Sequence, residues 1–187
     1  MTTLPKLSGR PGDSIADGIP VSTTALVTDL FEQYHSAVFA YLYRLVGDRE
    51  WAHDLSQEAF VRLFHSRHRL PQVENPRAWV YRIATNVALN ALKRRRRFAW
   101  LPWRSTDSVS LTAPDASEAT EQRLAVEAAL AQLPPHYRAP LLLYGQYGFS
   151  VREVAEALDL SEGAVKVRLY RAREMFRRAY DDGDKSV

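Results

Sequence analysis

The chain has 187 residues, of which 46% are hydrophobic, so it is long enough to bury the core of one domain or of two small ones. It contains no cysteine, which excludes disulfide bonds, thiolate metal sites and cysteine nucleophiles and is typical of a reducing compartment. The net charge of +3 is small, but the segment 77–104 carries cations and no acidic residue, whereas 29–58 and 107–127 lean acidic. No apolar run approaches the length of a membrane span and no signal peptide is recognisable, so we expect a soluble, cytoplasmic protein without membrane insertion.

The first half of the chain is predicted to form a small helical domain. Residues 1–21 contain Gly, Pro, Ser and Asp, which predicts a disordered N-terminal tail. Apolar residues then recur at helical spacing in three segments between 22 and 97. Gly47 suits the end of the first helix and Asp48 the cap of the second, while Asn75-Pro76 is a good cap and first-turn pair for the third. These signals predict a three-helix bundle.

The second half is predicted to be a separate helical domain. The segment 98–117 has no sustained period and contains repeated Pro, Ser, Thr and Asp, which predicts a flexible linker. Helical periodicity resumes at 118 and continues to 181, with a first break at Pro134-Pro135 and another helix from Tyr137 to Tyr144 before residue 150. The last residues, 182–187, are expected to form a short C-terminal tail.

Residues 150–173 have the pattern of a DNA-reading helix-turn-helix. Ser150 and Glu153 form a capping box for a short amphipathic helix, and a break is expected at 160–163. The next helix keeps an apolar stripe while its cations stay available to phosphates and base edges. A solvated amphipathic helix in an ordinary bundle is the alternative. The predicted fold is therefore all-α, with two small helical domains joined by a flexible linker and a helix-turn-helix in the C-terminal one.

Signals for catalysis or metal binding are weak. His65 and His68 are three residues apart, but no cysteine or well-placed carboxylate completes a metal site. The segment 145–148 is similar to the clamp of an RNA-binding KH module, yet that fold's strands are not predicted, so a turn is the better interpretation. Neither a nucleophile-base-orienter arrangement nor a Gly-rich phosphate cradle is present. We expect no enzymatic activity, no cofactor and no metal.

Three segments, in this order, resemble a known family. They are DLSQEAF at 54–60, NPRAWVYRIATN at 75–86 and EGAVKVRLYRAR at 162–173. Together with the helical domains and the linker they resemble a bacterial sigma factor of the extracytoplasmic-function group of the sigma-70 family. The resemblance spans roughly residues 29–180 and implies a non-enzymatic role, in which the protein joins core RNA polymerase, directs it to chosen promoters and helps to open the duplex.

The resemblance also implies three binding surfaces. Asp54, Gln57 and Glu58 correspond to the family's polymerase-binding segment, although a solvated acidic face is an alternative for them. The exposed side of the third helix corresponds to the minus-ten-reading surface and comprises Asn75, Arg77, Tyr81, Arg82, Thr85, Asn86, Asn90 and Lys93. The recognition helix and its cap correspond to the minus-thirty-five-reading surface and comprise Ser161, Glu162, Lys166, Arg168 and Arg171. Glu162 has a second interpretation, in which it only complements the helix dipole.

Neighbouring residues have less specific interpretations. The loop 69–75 lies where the family holds a flipped non-template base, which couples binding to melting. Trp79 shares the stripe of Ile83 and Val87 and is expected in the core. The basic run 94–97 either grips upstream duplex phosphate or is a solvated helix end.

The implied partners are core RNA polymerase, promoter DNA and an anti-sigma factor, which in this family commonly wedges between the two domains. We expect a monomer when no partner is bound. A stand-alone repressor that dimerises on palindromic operators is the main rival, and it would need a self-complementary apolar face that the polar segments 54–58 and 77–97 do not offer. A polymerase-binding decoy that does not initiate transcription is a third possibility.

Overall fold

The computed structural model of the chain describes residues 15–16, 19–98 and 118–184, with side chains described over 23–97 and 122–182. A two-residue antiparallel pair, β1 (Ile15–Ala16) and β2 (Ile19–Pro20), precedes the first helix. All other regular elements of the described residues are helices, which confirms the predicted all-α class. The helices are α1 (Val21–Val46), α2 (Arg49–His65), a 3-10 helix (Arg67–Gln72), α3 (Pro76–Phe98), α4 (Glu118–Gln132), α5 (Pro135–Gly145), α6 (Val151–Leu158) and α7 (Glu162–Asp184). Residue 98, predicted to begin the linker, is the last residue of α3, and residues 182–184, predicted to begin the C-terminal tail, belong to α7. The rest of the predicted linker, residues 99–117, lies outside the described residues, as do residues 1–14, 17–18 and 185–187 of the tails.

The ends of the first three helices follow local sequence signals. Gly47 adopts a φ of +79°, a left-handed conformation that glycine takes without a steric penalty, and it ends α1. Asp48 caps α2, because its Oδ1 accepts a hydrogen bond from the Trp51 amide at 2.9 Å. Asn75 caps α3 in the same way, through a 3.0 Å bond from the amide of Ala78. The predicted break at 69–75 is shorter than expected, because the 3-10 helix runs to residue 72.

The helix-turn-helix is also positioned by local bonds. The Ser150 hydroxyl accepts from the Glu153 amide at 3.2 Å, and the Glu153 carboxylate accepts from the Ser150 amide at 2.8 Å, which completes the predicted capping box. Asp159 ends α6 in the left-handed region, with a φ of 56°. The turn is shorter than the predicted break at 160–163, since α7 already begins at Glu162.

We call α1, α2 and α3 the N-terminal bundle, and they pack around a core of fully buried side chains. Val38, Leu42 and Leu45 of α1 have no exposed surface, and the Tyr41 hydroxyl lies 2.8 Å from the Thr85 hydroxyl inside this core. Phe31 and Phe64 recur at the same helical spacing as their apolar neighbours, which predicts burial, but they are 45% and 40% exposed. They lie at the edge of the α1–α2 contact, where no third helix of the described chain covers them.

We call α4, α5, α6 and α7 the C-terminal bundle, and the apolar stripes predicted for its last two helices contribute to its core. Val154 of α6 and Val165, Leu169 and Ala172 of α7 are buried. The two bundles also pack against each other, because α3 contacts α6 and α1 contacts α4 and α5. A cleft of about 440 Å³ remains between them, lined by Trp51 among others.

None of the described helices is long and apolar enough to cross a membrane. Within the same residues no three His, Asp or Glu side chains come together in a cluster that a metal ion would need.

Candidate polymerase and nucleic-acid interfaces

The predicted polymerase-binding residues lie on the outward face of α2. Asp54 and Gln57 are exposed, and Glu58 is half-exposed. Glu58 forms an ion pair with Arg62, one helical turn later, at 2.5 Å. Since Asp54 precedes Glu58 by one turn, the two carboxylates lie on one side of the helix, as the spacing predicted.

An apolar patch adjoins this acidic face. It contains Phe31, Phe60, Val61 and Phe64, and Gln57 lines the same shallow depression. Val61 is 54% exposed and the Phe60 ring packs edge-on against Phe31, with centroids 4.9 Å apart. A cluster of exposed apolar side chains beside charged ones is typical of a protein-binding surface. The sequence interpretation missed the patch because it assigned the aromatic residues to the core.

The predicted minus-ten residues fall into three groups along α3. Asn86, Asn90 and Lys93 are exposed, as are the arginines of the run 94–97. Trp79 is partly buried against the core, as expected. Arg95 places its guanidinium 5.0 Å from the centre of the Trp51 ring. The C-terminal half of α3 therefore presents an open basic surface.

The structure corrects the prediction for two residues of α3. Tyr81 and Thr85 were assigned to the exposed side of this helix, but both are buried. Thr85 is 1% exposed, and its hydroxyl donates to the Tyr81 carbonyl oxygen at 2.7 Å besides its contact with Tyr41. Tyr81 is 2% exposed, between Tyr41 and Phe149, with ring centroids 5.4 and 5.0 Å away. Burial raises the pKa of the Tyr81 phenol, so it stays protonated at neutral pH. The physical reason is that α3 packs against other helices on two of its sides. The sequence interpretation assumed that only one apolar stripe of this helix is buried.

The first turns of α3 are covered by the C-terminal bundle. Arg77 donates to the Tyr147 carbonyl oxygen and stacks on Phe149, with its guanidinium carbon 3.9 Å from the ring centre. Arg82 forms an ion pair with Asp159 at 2.9 Å. The Asn75 side-chain amide donates to Glu156 at 3.3 Å. Three predicted DNA-contacting residues are thus engaged by protein groups.

The predicted minus-thirty-five residues lie at the start of α7. Ser161 caps this helix, since its hydroxyl accepts from the Ala164 amide at 3.2 Å. Glu162 occupies the first turn, where a carboxylate also complements the helix dipole, and Lys166 is exposed. Arg168 is half-buried, and Arg171 lies 3.3 Å from the Tyr137 hydroxyl.

Two further exposed residues of α7 lie in this region and were not among the predicted ones. Val167 and Tyr170 are 52% and 68% exposed, next to the cations in sequence. Apolar side chains at this position can contact thymine methyl groups, and aromatic ones can pack on sugars or bases. The sequence does carry a signal for these two residues, because neither of them falls on the apolar stripe that contains Val165 and Leu169. His136 of α5 is also near, and burial together with the charges of Arg168 and Arg96 lowers its pKa.

Comparison with known proteins identifies two family regions in the chain. Residues 30–98 match the family described as Sigma-70 region 2, and residues 123–176 match Sigma-70, region 4. The sigma factor SigL of Mycobacterium tuberculosis is 31% identical, over 83% of this chain and 89% of its own length. SigE of Mycolicibacterium smegmatis is 34% identical over 80% of this chain, which spans only 59% of that relative. SigW of Bacillus subtilis is 26% identical over 82% of this chain and 88% of its length.

Solved structures show the same fold. The Bartonella quintana sigma factor RpoE, crystallised with the anti-sigma factor NepR, superposes with a TM-score of 0.67 over 82% of this chain and 96% of that chain, at 21% identity. Mycobacterium tuberculosis SigJ gives 0.54 over 79% and 52%, at 26% identity. The two family matches, which together cover more than half of the chain, define a sigma factor, a class of transcription initiation factor. The chain belongs to the extracytoplasmic-function group of the sigma-70 family, which confirms the resemblance.

Proposed function

We propose that this protein binds core RNA polymerase, directs it to promoters with paired minus-ten and minus-thirty-five elements, and promotes melting of the duplex. The observation that carries the proposal is the succession of three different surfaces on one chain. An acidic and apolar face on α2 is followed by a basic face on α3 and by a cation-rich helix-turn-helix. Because this proposed function requires contact with DNA and polymerase, we also propose that the protein is cytoplasmic.

The α2 face supplies the polymerase contact in this proposal. Asp54, Gln57 and Glu58 provide electrostatic complementarity to a basic partner, which sets orientation and association rate. Phe31, Val61 and Phe64 add apolar area that loses water on binding, and such buried anchors carry much of an interface's binding energy. The combination of an apolar centre and a charged edge supports a specific docking surface over a merely solvated helix face.

The α3 surface holds the minus-ten region. Lys93 and the arginines 94–97 neutralise backbone phosphates, while Asn86 and Asn90 offer side chains that hydrogen-bond to base edges. Asn75, Arg77, Tyr81 and Arg82 complete the surface once the C-terminal bundle moves away from them. Stacking on Tyr81 would favour unpaired bases, and the loop before α3 would hold a flipped one. We leave Thr85 out of the surface, because its hydroxyl is bonded inside the bundle.

The first half of α7 enters the major groove of the minus-thirty-five duplex. Lys166 and Arg171 are exposed cations that can reach phosphates or guanine edges, and Arg168 follows on the neighbouring face. Ser161 orients the helix start through its cap, so that the free amides of the first turn face the DNA backbone. Glu162 contributes either a base contact or a dipole effect.

We also propose that an anti-sigma factor controls this protein, which is otherwise a monomer. The support is the likeness to the fold of RpoE, which was crystallised with the anti-sigma factor NepR. The 98–117 segment between the bundles is long enough to let such a regulator enter between them. We take residues 22–97 and 118–181 as the units that would move.

The test is transcription in vitro with purified core polymerase and a promoter library, with and without the protein, followed by sequencing of transcript starts. New starts that share two upstream motifs at fixed spacing are expected. Absence of new starts, together with dimeric binding to palindromic DNA, would contradict the proposal in favour of a stand-alone repressor. Tight binding to core polymerase without new starts would point to the decoy instead.

A further inference from the structure

We infer that the cleft between the two bundles is a binding site for a small amphipathic anion, that is, a molecule in which an apolar ring or chain carries one carboxylate. The cleft has a volume of about 440 Å³, and residues of both bundles line it. Val46 and Leu92 belong to the N-terminal bundle, and Leu130 belongs to the C-terminal bundle. The inference does not depend on the proposed function, because ligand binding is measured with the chain alone.

The size of the cleft favours a small molecule over a polypeptide helix. Small-molecule sites in proteins have volumes of about 300–1,000 Å³, and this cleft falls in the lower half of that range. One turn of an α-helix, about 10 Å across with its side chains and about 5.4 Å long, fills roughly 420 Å³. The cleft therefore holds no more than about one helical turn, whereas a ring system with a short side chain fits inside it.

The wall of the cleft is mainly apolar. Leu130 is buried, while Val46, Trp51 and Leu92 are partly buried and still present surface to the cleft. The Trp51 ring is held by a cation–π contact, since the Arg95 guanidinium lies 5.0 Å from its centre. Apolar surface of a ligand that enters this cleft leaves water, and the gain is roughly proportional to the area buried. The favoured ligand therefore has an apolar body.

Three arginines give the cleft its charge. Arg44, Arg95 and Arg138 line it, and none of them takes part in an ion pair among the described residues. Two carboxylates, those of Asp48 and Glu127, also line the cleft, so the cations outnumber the anions. Asp48 is in addition occupied as the N-cap of α2. The cleft therefore complements a ligand with one negative charge.

The burial of Arg138 strengthens the preference for an anion. Its side chain is 7% exposed, its two Nη atoms donate to backbone carbonyl oxygens, and its Nε has no hydrogen-bond partner among the described residues. Burying a cation costs free energy unless an opposite charge compensates it. A carboxylate in the cleft lowers this cost even without a direct bond, because solvent and salt screen a buried charge only weakly. An anion is therefore favoured over a neutral molecule of the same size.

Fluorine NMR of the full chain labelled with fluorotryptophan tests the site, because the chain has four tryptophans and Trp51 lines the cleft. The signal of Trp51 is identified by its absence in Trp51→Phe. The probe 1-naphthaleneacetate, with a flat ring, one carboxylate and about 14 non-hydrogen atoms, should shift this signal saturably, with a Kd of about 0.1–1 mM. Trp79 lines a different cleft, so its signal should shift less.

A neutral analogue tests the preference for an anion. The amide 1-naphthaleneacetamide has the same ring and nearly the same shape, and it should bind at least about tenfold more weakly than the acid. Decanoate, a flexible carboxylate, should compete with naphthaleneacetate for the same site. Equal affinity for the acid and the amide would overturn the inference, because the cleft would then be an apolar cavity without charge selectivity. So would the lack of a saturable Trp51 shift with either carboxylate up to about 10 mM.

A matched pair of variants tests the role of the cleft cations. Arg44→Gln removes one of them from a partly buried position and should weaken naphthaleneacetate binding by about fivefold, with the affinity for the amide unchanged. Arg49→Gln makes the same change in net charge at an exposed residue that does not line the cleft, and should leave both affinities unchanged. Arg44 is chosen because removal of Arg138 would also break hydrogen bonds between the bundles. Equal affinities of the two variants for naphthaleneacetate would contradict the inference.

Discussion

The guanidinium of Arg138, on α5, donates a hydrogen bond from Nη1 to the backbone carbonyl oxygen of Leu45, on α1, at 3.0 Å. Its Nη2 donates to the carbonyl oxygens of Ala131 and Leu133 at the end of α4. The side chain is 7% exposed, and burial lowers its pKa to about 10, so it remains charged at neutral pH. One buried cation thus connects the two bundles through backbone oxygens, and no carboxylate among the described residues forms an ion pair with it.

Arg138→Met should destabilise the folded chain, because the buried carbonyl oxygens of Leu45 and Leu133 would each lose a hydrogen-bond donor. The expected loss in free energy of unfolding is about 1–3 kcal/mol for each carbonyl left without a donor. Urea unfolding followed by circular dichroism measures it. Arg123→Met removes an exposed arginine from α4 and should change stability by less than about 0.5 kcal/mol. Equal stability of the two variants would refute the anchoring role of Arg138.

Reversing the acidic face of α2 should weaken polymerase binding. Asp54→Lys should reduce the affinity for core polymerase more than Glu58→Lys does, because Glu58 is already paired with Arg62. Biolayer interferometry with immobilised core enzyme at two salt concentrations gives both the affinity and its ionic part. Glu50→Lys, an exposed change in the first turn of the same helix, is the matched control. Unchanged affinity of Asp54→Lys would remove this face from the polymerase interface.

Reversing the cations at the start of α7 should weaken binding to the minus-thirty-five duplex and leave polymerase binding intact. Lys166→Glu with Arg168→Glu removes two positive charges from the predicted groove contact, and each lost base contact costs about 1–3 kcal/mol. Fluorescence anisotropy with the duplex found by transcript mapping provides the readout. Arg177→Glu with Arg178→Glu makes the same charge change near the other end of α7. If both double variants lose duplex affinity equally, the assignment of Lys166 and Arg168 is wrong.

The capping box should make stability sensitive to acid. The hydrogen bond from the Ser150 amide lowers the pKa of Glu153 below its ordinary 4.5, and the Ser150 side chain and then the charge of Arg77 contribute less. A carboxyl group whose pKa is lowered by folding stabilises the native state above its unfolded pKa, and this contribution is lost as the pH falls through the folded value. Thermal unfolding at pH 7 should therefore show Glu153→Gln to be less stable than the natural chain, and the difference should shrink below about pH 4. A difference that does not vary with pH would show that the ionised carboxylate is not the stabilising species.

Local signals account for what the sequence predicted correctly. Asp48, Asn75 and the Ser150–Glu153 pair act through bonds to residues three positions away, so their effect is contained in a short stretch of chain. The apolar periods predicted the helices and the helix-turn-helix for the same reason. The order of three characteristic segments was enough to recognise the family, because each segment's chemistry depends on neighbouring residues.

The tertiary structure alone decided which face of α3 is buried and what covers it. Tyr81 and Thr85 fit an exposed surface when α3 is considered by itself, but Tyr41 on one side and Phe149 on the other enclose them. Arg138 gave no signal at all, since its partners are carbonyl oxygens that every residue carries. Contacts between residues distant in the chain depend on how whole helices pack, and helical period constrains only the face within one helix. For this reason the sequence determined the elements and the class of protein, whereas the closure of α6 over α3 emerged only from their packing.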